Sequence, residues 1–329
     1  MMPLAAASSP TAVADLSAAR RAYLDELVER ARWAAAAATQ LSQADCDRIT
    51  RAMAVRGLEA AQELAALAVQ ETRIGVVEDK AVKNMIATEF VYHSIKDVPS
   101  VGVLRVDAAR NLREVAEPVG VVLGVTPVTN PTATVLFKAL MIGKTRNALI
   151  VCPHPYARDC SNRAARLMAE AGCTAGAPED FLLWVDDIEQ ADTQYLMRHP
   201  GVALIDATGG PGMVRAAYGS GKPALGVGAG NVPCYVHRSA DLRMAVIDIL
   251  TSKTFDNGTA CASEQTVICD REVYDEVVRL FAALGAHVCS PAEVELLGRT
   301  VVDPARGRMQ PMAVGQSALR IAAEIGLEV

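Results

Sequence analysis

The sequence predicts an α/β protein: a helical section, then a parallel sheet wound with helices, then a second α/β unit. Three observations carry that expectation. Between residues 119 and 219, continuous apolar runs alternate with amphipathic stretches at helical spacing, the pattern of strands covered on both faces. Upstream, residues 15–92 carry mainly the helical period. Hydrophobic residues make up 51% of the 329-residue chain but aromatics only 4%, so the core is built from Ala, Val and Leu, which suits stacked sheet and helix layers. A chain of this length accommodates two domains.

The elements follow in order. Over residues 15–40, Leu16, Ala19, Tyr23, Leu24, Leu27, Val28, Ala31 and Ala34 recur at helical spacing with Arg and Glu between them. A second helix is expected over residues 42–68, with Ser42 or Asp45 as its cap, and a third over 78–92. Val103-Leu104-Arg105-Val106 and Leu112-Arg113-Glu114-Val115 flank the polar stretch 107–111 and read as a hairpin that projects from the body. The wound section then runs strand 119–125, helix 132–143, strand 148–152, helix 161–172, strand 181–185, helix 190–198, strand 202–206, helix 210–219. After Ser239 the pattern restarts with helix 241–253, strand 265–269 and helix 273–284. No internal repeat is visible.

Composition excludes several classes of function. The formal net charge is −6 and no basic tract stands out, so nucleic acid is not an expected partner. No apolar run reaches the ~18 residues that a membrane helix needs, so no membrane is expected either. Eight cysteines occur with no pair at C-x-x-C spacing, which reads as reduced thiols in a cytoplasmic protein. The first residues are rich in Ala, Ser and Pro, without a basic start or a long apolar stretch, and residues 1–13 are expected to be a disordered leader.

The chemistry concentrates in a few segments. In Phe255-Asp256-Asn257-Gly258-Thr259-Ala260-Cys261-Ala262-Ser263-Glu264-Gln265, a turn delivers Cys261 to the start of a new element with polar groups on both sides. A lone cysteine is usually a small hydrophobe. Here a nearby backbone N–H can stabilise negative charge, and thiolate character makes a cysteine nucleophilic. Val125-Thr126-Pro127-Val128-Thr129-Asn130-Pro131-Thr132 places Asn130 between a strand's carboxyl end and a helix, where ligands bind in parallel sheets; a plain helix cap is the competing reading. Leu204-Ile205-Asp206-Ala207-Thr208-Gly209-Gly210-Pro211-Gly212 runs from strand through a Gly-rich turn into a helix, a place where backbone can approach a phosphate. That signal is weak alone, because it lacks the spaced dinucleotide fingerprint.

The F-D-N-G-x-x-C-A-S-E-Q segment resembles the nucleophile segment of CoA-acylating aldehyde dehydrogenases. That group includes acetylating acetaldehyde dehydrogenases, the aldehyde half of bifunctional aldehyde–alcohol dehydrogenases, and acylating sulfoacetaldehyde dehydrogenases. The resemblance covers residues 14–329. It implies the aldehyde-dehydrogenase fold: a Rossmann-like NAD domain over 14–238, with an oligomerisation hairpin at about 101–117, and a catalytic domain from 239. It implies Cys261 as nucleophile, and Asn130 of the Pro-Val-Thr-Asn-Pro motif as oxyanion donor alongside the Cys261 N–H. In Cys152-Pro153-His154-Pro155, with Cys152 where the family usually has Ser, Pro153 and His154 are implied as neighbours of the adenosine. Thr208, Gly209 and Gly210 resemble the loop that meets the pyrophosphate, and Thr126, Pro127 and Val227 complete the implied cofactor contacts.

The same resemblance implies NAD as cofactor, with NADP also open, coenzyme A as co-substrate, a short aldehyde or its acyl-CoA as substrate, and a homodimer or higher homo-oligomer. Hydrolytic relatives carry a glutamate in Glu-Leu-Gly-Gly-Lys; the matching stretch here is Leu225-Gly226-Val227-Gly228, with Gly226 at the glutamate's place. Without that base, water attacks an acyl-enzyme slowly and a thiolate wins. Family members continue past the position matching Val329, so the catalytic domain is expected to be incomplete. The competing expectation is an inactive homologue that binds NAD or pairs with a complete subunit.

Overall fold

The computed structural model describes residues 16–228, 230–303 and 308–328. The expected leader and residues 14–15, where the cofactor domain and first helix are expected to begin, lie outside them. Helix α1 (Ala18–Ala38) is capped by Ser17, whose Oγ accepts the Arg20 N–H at 3.2 Å, and buries Leu24, Leu27, Val28 and Ala31. The single helix expected over 42–68 is two. Helix α2 (Gln43–Glu59) opens on a reciprocal capping box between Ser42 and Asp45. Ala60 then leaves helical geometry at φ −88°, ψ 1°, and α3 (Ala61–Thr72) follows. Alanine is the best helix former, so the sequence gives no warning; Ala60 and Ala61 are both buried, and tertiary packing overrides propensity. Helix α4 (Val77–Met85) passes through a π-turn at Ile86–Phe90 into α5 (Val91–Ile95).

Strands β1 (Gly102–Asp107) and β2 (Leu112–Ala116) form the expected antiparallel hairpin, with Val103, Val106, Leu112 and Val115 exposed. The wound section comprises β3 (Val121–Val125), α6 (Pro131–Lys144), β4 (Ala148–Cys152), α7 (Arg158–Thr174), β5 (Leu182–Trp184), α8 (Gln190–Arg198), β6 (Leu204–Thr208), α9 (Pro211–Tyr218) and β7 (Ala224–Val227). The five strands are parallel in the order β5-β4-β3-β6-β7. Every residue of β3 and β4 is buried, as expected of strands covered on both faces. The order reverses at β3, and right-handed crossovers send α6 and α7 to one face and α8 and α9 to the other. A crevice therefore opens above the carboxyl ends of β3 and β6. Beneath it, buried Lys138 of α6 reaches Asp206 Oδ1 at 2.6 Å and ties the helix to the neighbouring strand.

A second apolar cluster of Val236, Val246, Ile249 and Val277 organises β8 (Val232–Val236), α10 (Leu242–Thr254), β9 (Glu264–Cys269) and α11 (Tyr274–Ala283). Here β8 and β9 pair in parallel. The chain continues through α12 (Pro291–Val301), β10 (Val302–Asp303), β11 (Arg308–Met309) and α13 (Ala318–Glu324). Two shifts from the sequence expectation bear on the site. The strand expected at 202–206 lies at Leu204–Thr208, which makes Thr208 its last residue. Strand β7, not expected at all, carries Gly226 and ends at Val227. Among the described residues, no helix is long and apolar enough to cross a membrane.

Candidate active site

All eight cysteines are free thiols, and their environments separate them. Burial pushes the thiols of Cys46, Cys152 and Cys160 up, which keeps them protonated and inert. Cys261 is exposed, between the turn Phe255–Gly258 and strand β9. That turn is built on two left-handed residues, Asp256 (φ 49°) and Asn257 (φ 51°). Side chains other than glycine adopt this conformation only where the surroundings impose it, and Asp and Asn tolerate it best.

The surroundings here are explicit. The Asp256 carboxylate is fully buried. Its Oδ2 accepts from Lys80 Nζ at 3.0 Å, Lys83 Nζ at 2.6 Å and Thr259 Oγ1 at 2.6 Å. Its Oδ1 accepts the Val76 N–H at 2.8 Å, and its own N–H donates to Asp79 Oδ2 at 2.7 Å. Asn257 Nδ2 donates to the Gly315 carbonyl at 3.0 Å, which also takes the Gly75 N–H. The cysteine loop is thus clamped to the start of α4 from one side and to the segment before α13 from the other. Burial drives the carboxyl of Asp256 upward, but the two ammonium groups and the Thr259 hydroxyl outweigh it and hold the group below the usual carboxylate range. Burial lowers both Lys80 and Lys83, and their pairing with Asp256 opposes that.

Asn130 stands at the N-cap position of α6, yet its side chain makes no cap bond. Its Nδ2 donates instead to the Thr259 carbonyl at 3.0 Å, two residues before Cys261, and its Oδ1 accepts from Lys83 Nζ at 2.7 Å. The amide thus faces the cysteine loop across the crevice.

The other residues singled out by sequence fall at the carboxyl ends of four adjacent strands. Thr126 and Pro127 follow β3; the Thr126 N–H donates to the Cys152 carbonyl at 3.1 Å, while its buried Oγ1 has no hydrogen-bond partner. Pro153 and His154 follow β4. Burial lowers the His154 imidazole, and its Nδ1 accepts the Tyr156 N–H at 3.2 Å. Thr208 ends β6, and the Gly209 N–H donates to the carbonyl of Val227 at the end of β7 at 3.0 Å. Gly210 precedes α9, and no side chain caps that helix; Pro211 has no N–H and the Met213 N–H donates to the Gly210 carbonyl at 3.0 Å, which leaves the Gly212 N–H as the first-turn donor for an anion.

Two glycines set what can stand beside the cysteine. A Cβ on Gly226 would lie 2.7 Å from both Tyr218 Cε2 and Val214 Cγ1, and Tyr218 Oη accepts the Gly226 N–H at 3.0 Å. Position 226 therefore has no room for a carboxylate side chain unless Tyr218 and Val214 move. A Cβ on Gly230 would lie 2.4 Å from the Cys261 carbonyl oxygen, so Gly230 packs directly on the cysteine's backbone.

The sequence reading missed Lys80 and Lys83, and took Asp256 only as a turn former. The only signal was that two lysines three apart on one short helix share a face, which is common on solvated helices. Their partner lies 176 and 173 residues away, a pairing no local pattern reveals.

The fold is that of aldehyde dehydrogenases: the chain superposes on an acetylating aldehyde dehydrogenase from Geobacillus thermoglucosidasius with a TM-score of 0.91 at 42% identity, covering 96% of this chain and 70% of that one. It also superposes on a propionaldehyde dehydrogenase from Rhodopseudomonas palustris, with bound CoA and an acylated cysteine, at a TM-score of 0.81 and 30% identity, covering 93% of this chain and 70% of that one. A family profile matches residues 2–290, and the chain belongs to the aldehyde dehydrogenase family. Among curated relatives, the bifunctional aldehyde-alcohol dehydrogenase of Escherichia coli (strain K12) is 44% identical over 308 residues, which is 94% of this chain and 34% of that protein. The chain spans about a third of the length of the aldehyde-alcohol dehydrogenases it matches.

Proposed function

We propose that the chain catalyses the CoA-acylating oxidation of a short aldehyde with NAD, and the reverse reduction of the acyl-CoA. The observation that carries this is the meeting of Asn130 and the Cys261 loop, with Asn130 Nδ2 at 3.0 Å from the Thr259 carbonyl. Relatives described as acetylating, and a related structure with bound CoA and an acylated cysteine, support the same reading.

The Cys261 thiolate adds to the aldehyde carbon and forms a carbon–sulfur bond, and the carbonyl oxygen becomes an oxyanion. The second N–H of Asn130 Nδ2, which has only a long 3.4 Å contact to Thr129 Oγ1, is the donor available to that oxygen, with the Cys261 N–H as its companion. The crevice suits a dinucleotide on three counts: the switch point at β3, the uncapped start of α9 after Thr208, Gly209 and Gly210, and the unpartnered Thr126 Oγ1. Thr126, Pro127, Pro153, His154 and Val227 border it. A nicotinamide held by these residues would supply the hydride acceptor for the tetrahedral carbon, which would leave a thioester on Cys261. The thiolate of CoA then attacks that thioester, and the Cys261 sulfur departs as thiolate. Gly226 leaves no carboxylate to activate water against the thioester, so thiol transfer prevails over hydrolysis.

On the same reading, residues 14–238 form the cofactor domain and the segment from 239 the catalytic one, the β1–β2 hairpin pairs subunits of a homo-oligomer, and the protein works in the cytoplasm. The test is NADH formation from acetaldehyde and NAD by the purified chain, with and without CoA, with NADP in a parallel arm. CoA-dependent NADH that vanishes in Cys261→Ala supports the proposal. Free acid formed without CoA overturns it.

A further inference from the structure

The three protons of the Lys83 ammonium go to three groups around the nucleophile. Nζ lies 2.7 Å from Asn130 Oδ1, 2.6 Å from Asp256 Oδ2 and 2.9 Å from Thr259 Oγ1. An ammonium has donors only, so it accepts just one orientation of the Asn130 amide: oxygen toward α4, NH2 toward the cysteine loop. The opposite orientation would set an NH2 against the ammonium and a lone pair against the Thr259 carbonyl. Lys80 provides an internal comparison. It shares Asp256 at 3.0 Å and is the more deeply buried of the two, but its other bond goes to the Thr129 carbonyl at 2.7 Å and not to Asn130.

We propose that Lys83 is a positioning residue that locks the Asn130 amide with its donors toward the reacting oxygen. Its kinetic consequence rests on the acylating reading above; its structural consequence does not. The charge balance around it is local: Lys80 and Lys83 on α4 face Asp256 of the loop, with Asp79 on the Asp256 N–H. A purely structural clamp would treat the two lysines alike, because both pair with the same carboxylate. A positioning role separates them.

The experiment compares Lys83→Met with Lys80→Met, with Lys83→Gln as a second variant that refills the space while no longer dictating the amide orientation. If Lys83 acts through Asn130, kcat in Lys83→Met falls about 10- to 100-fold, up to the scale of losing one oxyanion donor, with KM for CoA and NAD little changed. Lys80→Met loses clearly less. In an Asn130→Ala background, Lys83→Met costs at most about twofold more, because its route is already gone. Equal losses in the two lysine variants, or full additivity with Asn130→Ala, overturn the proposal. Crystal structures of the variants decide it independently of turnover. Asn130 Nδ2 released from the Thr259 carbonyl in Lys83→Met or Lys83→Gln, but retained in Lys80→Met, supports it; retention in all three overturns it. A wild-type chain without CoA-dependent NADH would sink the acylating reading alone and leave that structural comparison to decide the role of Lys83.

Discussion

Replacing Asp256 with asparagine removes one negative charge from a site where two lysines depend on it. The Asp256 side chain is 0% exposed, Lys80 3% and Lys83 12%. Asparagine fits the space, but it offers a neutral oxygen in place of a carboxylate and can set an NH2 against two ammonium groups. Removing one partner of a buried pair costs about 3–5 kcal/mol, because the other charge stays buried and unpaired. The cost has a ceiling. A lysine stranded this way can shed its proton, which at pH 7 costs roughly 4.6 kcal/mol from an ordinary value of about 10.4. The predicted loss at pH 7 is therefore about 3–5 kcal/mol. Its pH dependence has a definite sign. Burial already holds both lysines below their ordinary value, so the unfolded chain binds more protons and stability rises with pH. Without Asp256 they fall further, and the rise is steeper. The wild-type carboxylate, held below its ordinary value, contributes fully above that value and loses its contribution as pH falls through the folded one. The variant's deficit is thus largest near neutrality, shrinks toward pH 10 as the lysines neutralise, and shrinks again in acid. Urea unfolding followed by circular dichroism at pH 7 and pH 10 reads it. A deficit under about 1 kcal/mol at pH 7, or one that grows toward pH 10, refutes the view of Asp256 as the hub of the clamp.

Asn130→Ala removes the proposed side-chain donor to the oxyanion, and kcat in the CoA-dependent assay should fall about 10²- to 10³-fold while NAD binding by fluorescence titration stays near wild type. Gly230→Ala forces a methyl to within 2.4 Å of the Cys261 carbonyl oxygen, so the cysteine backbone must move. A shift of about 1 Å is worth on the order of 10²-fold in rate, to be measured alongside a thermal melt that changes little. Gly226→Glu restores the carboxylate of hydrolytic relatives in the sequence but not its space. It should cost about 1–3 kcal/mol of stability through overpacking against Tyr218 and Val214, and release no free acetate from acetaldehyde and NAD without CoA.

The wound sheet was legible because its strands are buried on both faces, and unbroken apolar runs such as residues 148–152 have no other stable use; the expected and observed limits of β4 coincide at Ala148–Cys152. Strand β7 was not legible, because its burial alternates and glycine interrupts it at 226. The break at Ala60 was hidden by the best helix former in the alphabet. The segments of Cys261 and Asn130 stood out in the sequence, and the structure brings them together. What joins them did not stand out. Asn130 looked capable of capping α6, and the structure turns its side chain away to the cysteine loop. The lysines that set this arrangement sit in an ordinary-looking charged helix, and only the three-dimensional pairing with Asp256 distinguishes them.

That pairing bears on how two separately packed units can make one site. Asn130 belongs to the large core around the five-stranded sheet, whereas Cys261 leads into β9 of the smaller cluster around Val236 and Val246. In the proposed reaction an oxyanion donor and a nucleophile on different units need a fixed spacing, since catalysis by such donors depends on being aimed before charge develops. Apolar contact alone would permit sliding, because dispersion is not directional. A buried carboxylate held by two ammonium groups, a hydroxyl and a backbone N–H is directional at every bond. Helix α4 supplies those ammonium groups and reaches both partners at once, Lys83 bonding Asn130 on one unit and Thr259 on the other. The left-handed turn at Asp256 and Asn257 is then the cost of pointing that carboxylate back at α4 while the chain goes on to Cys261, of order 1–3 kcal/mol for each such residue and offset by the clamp.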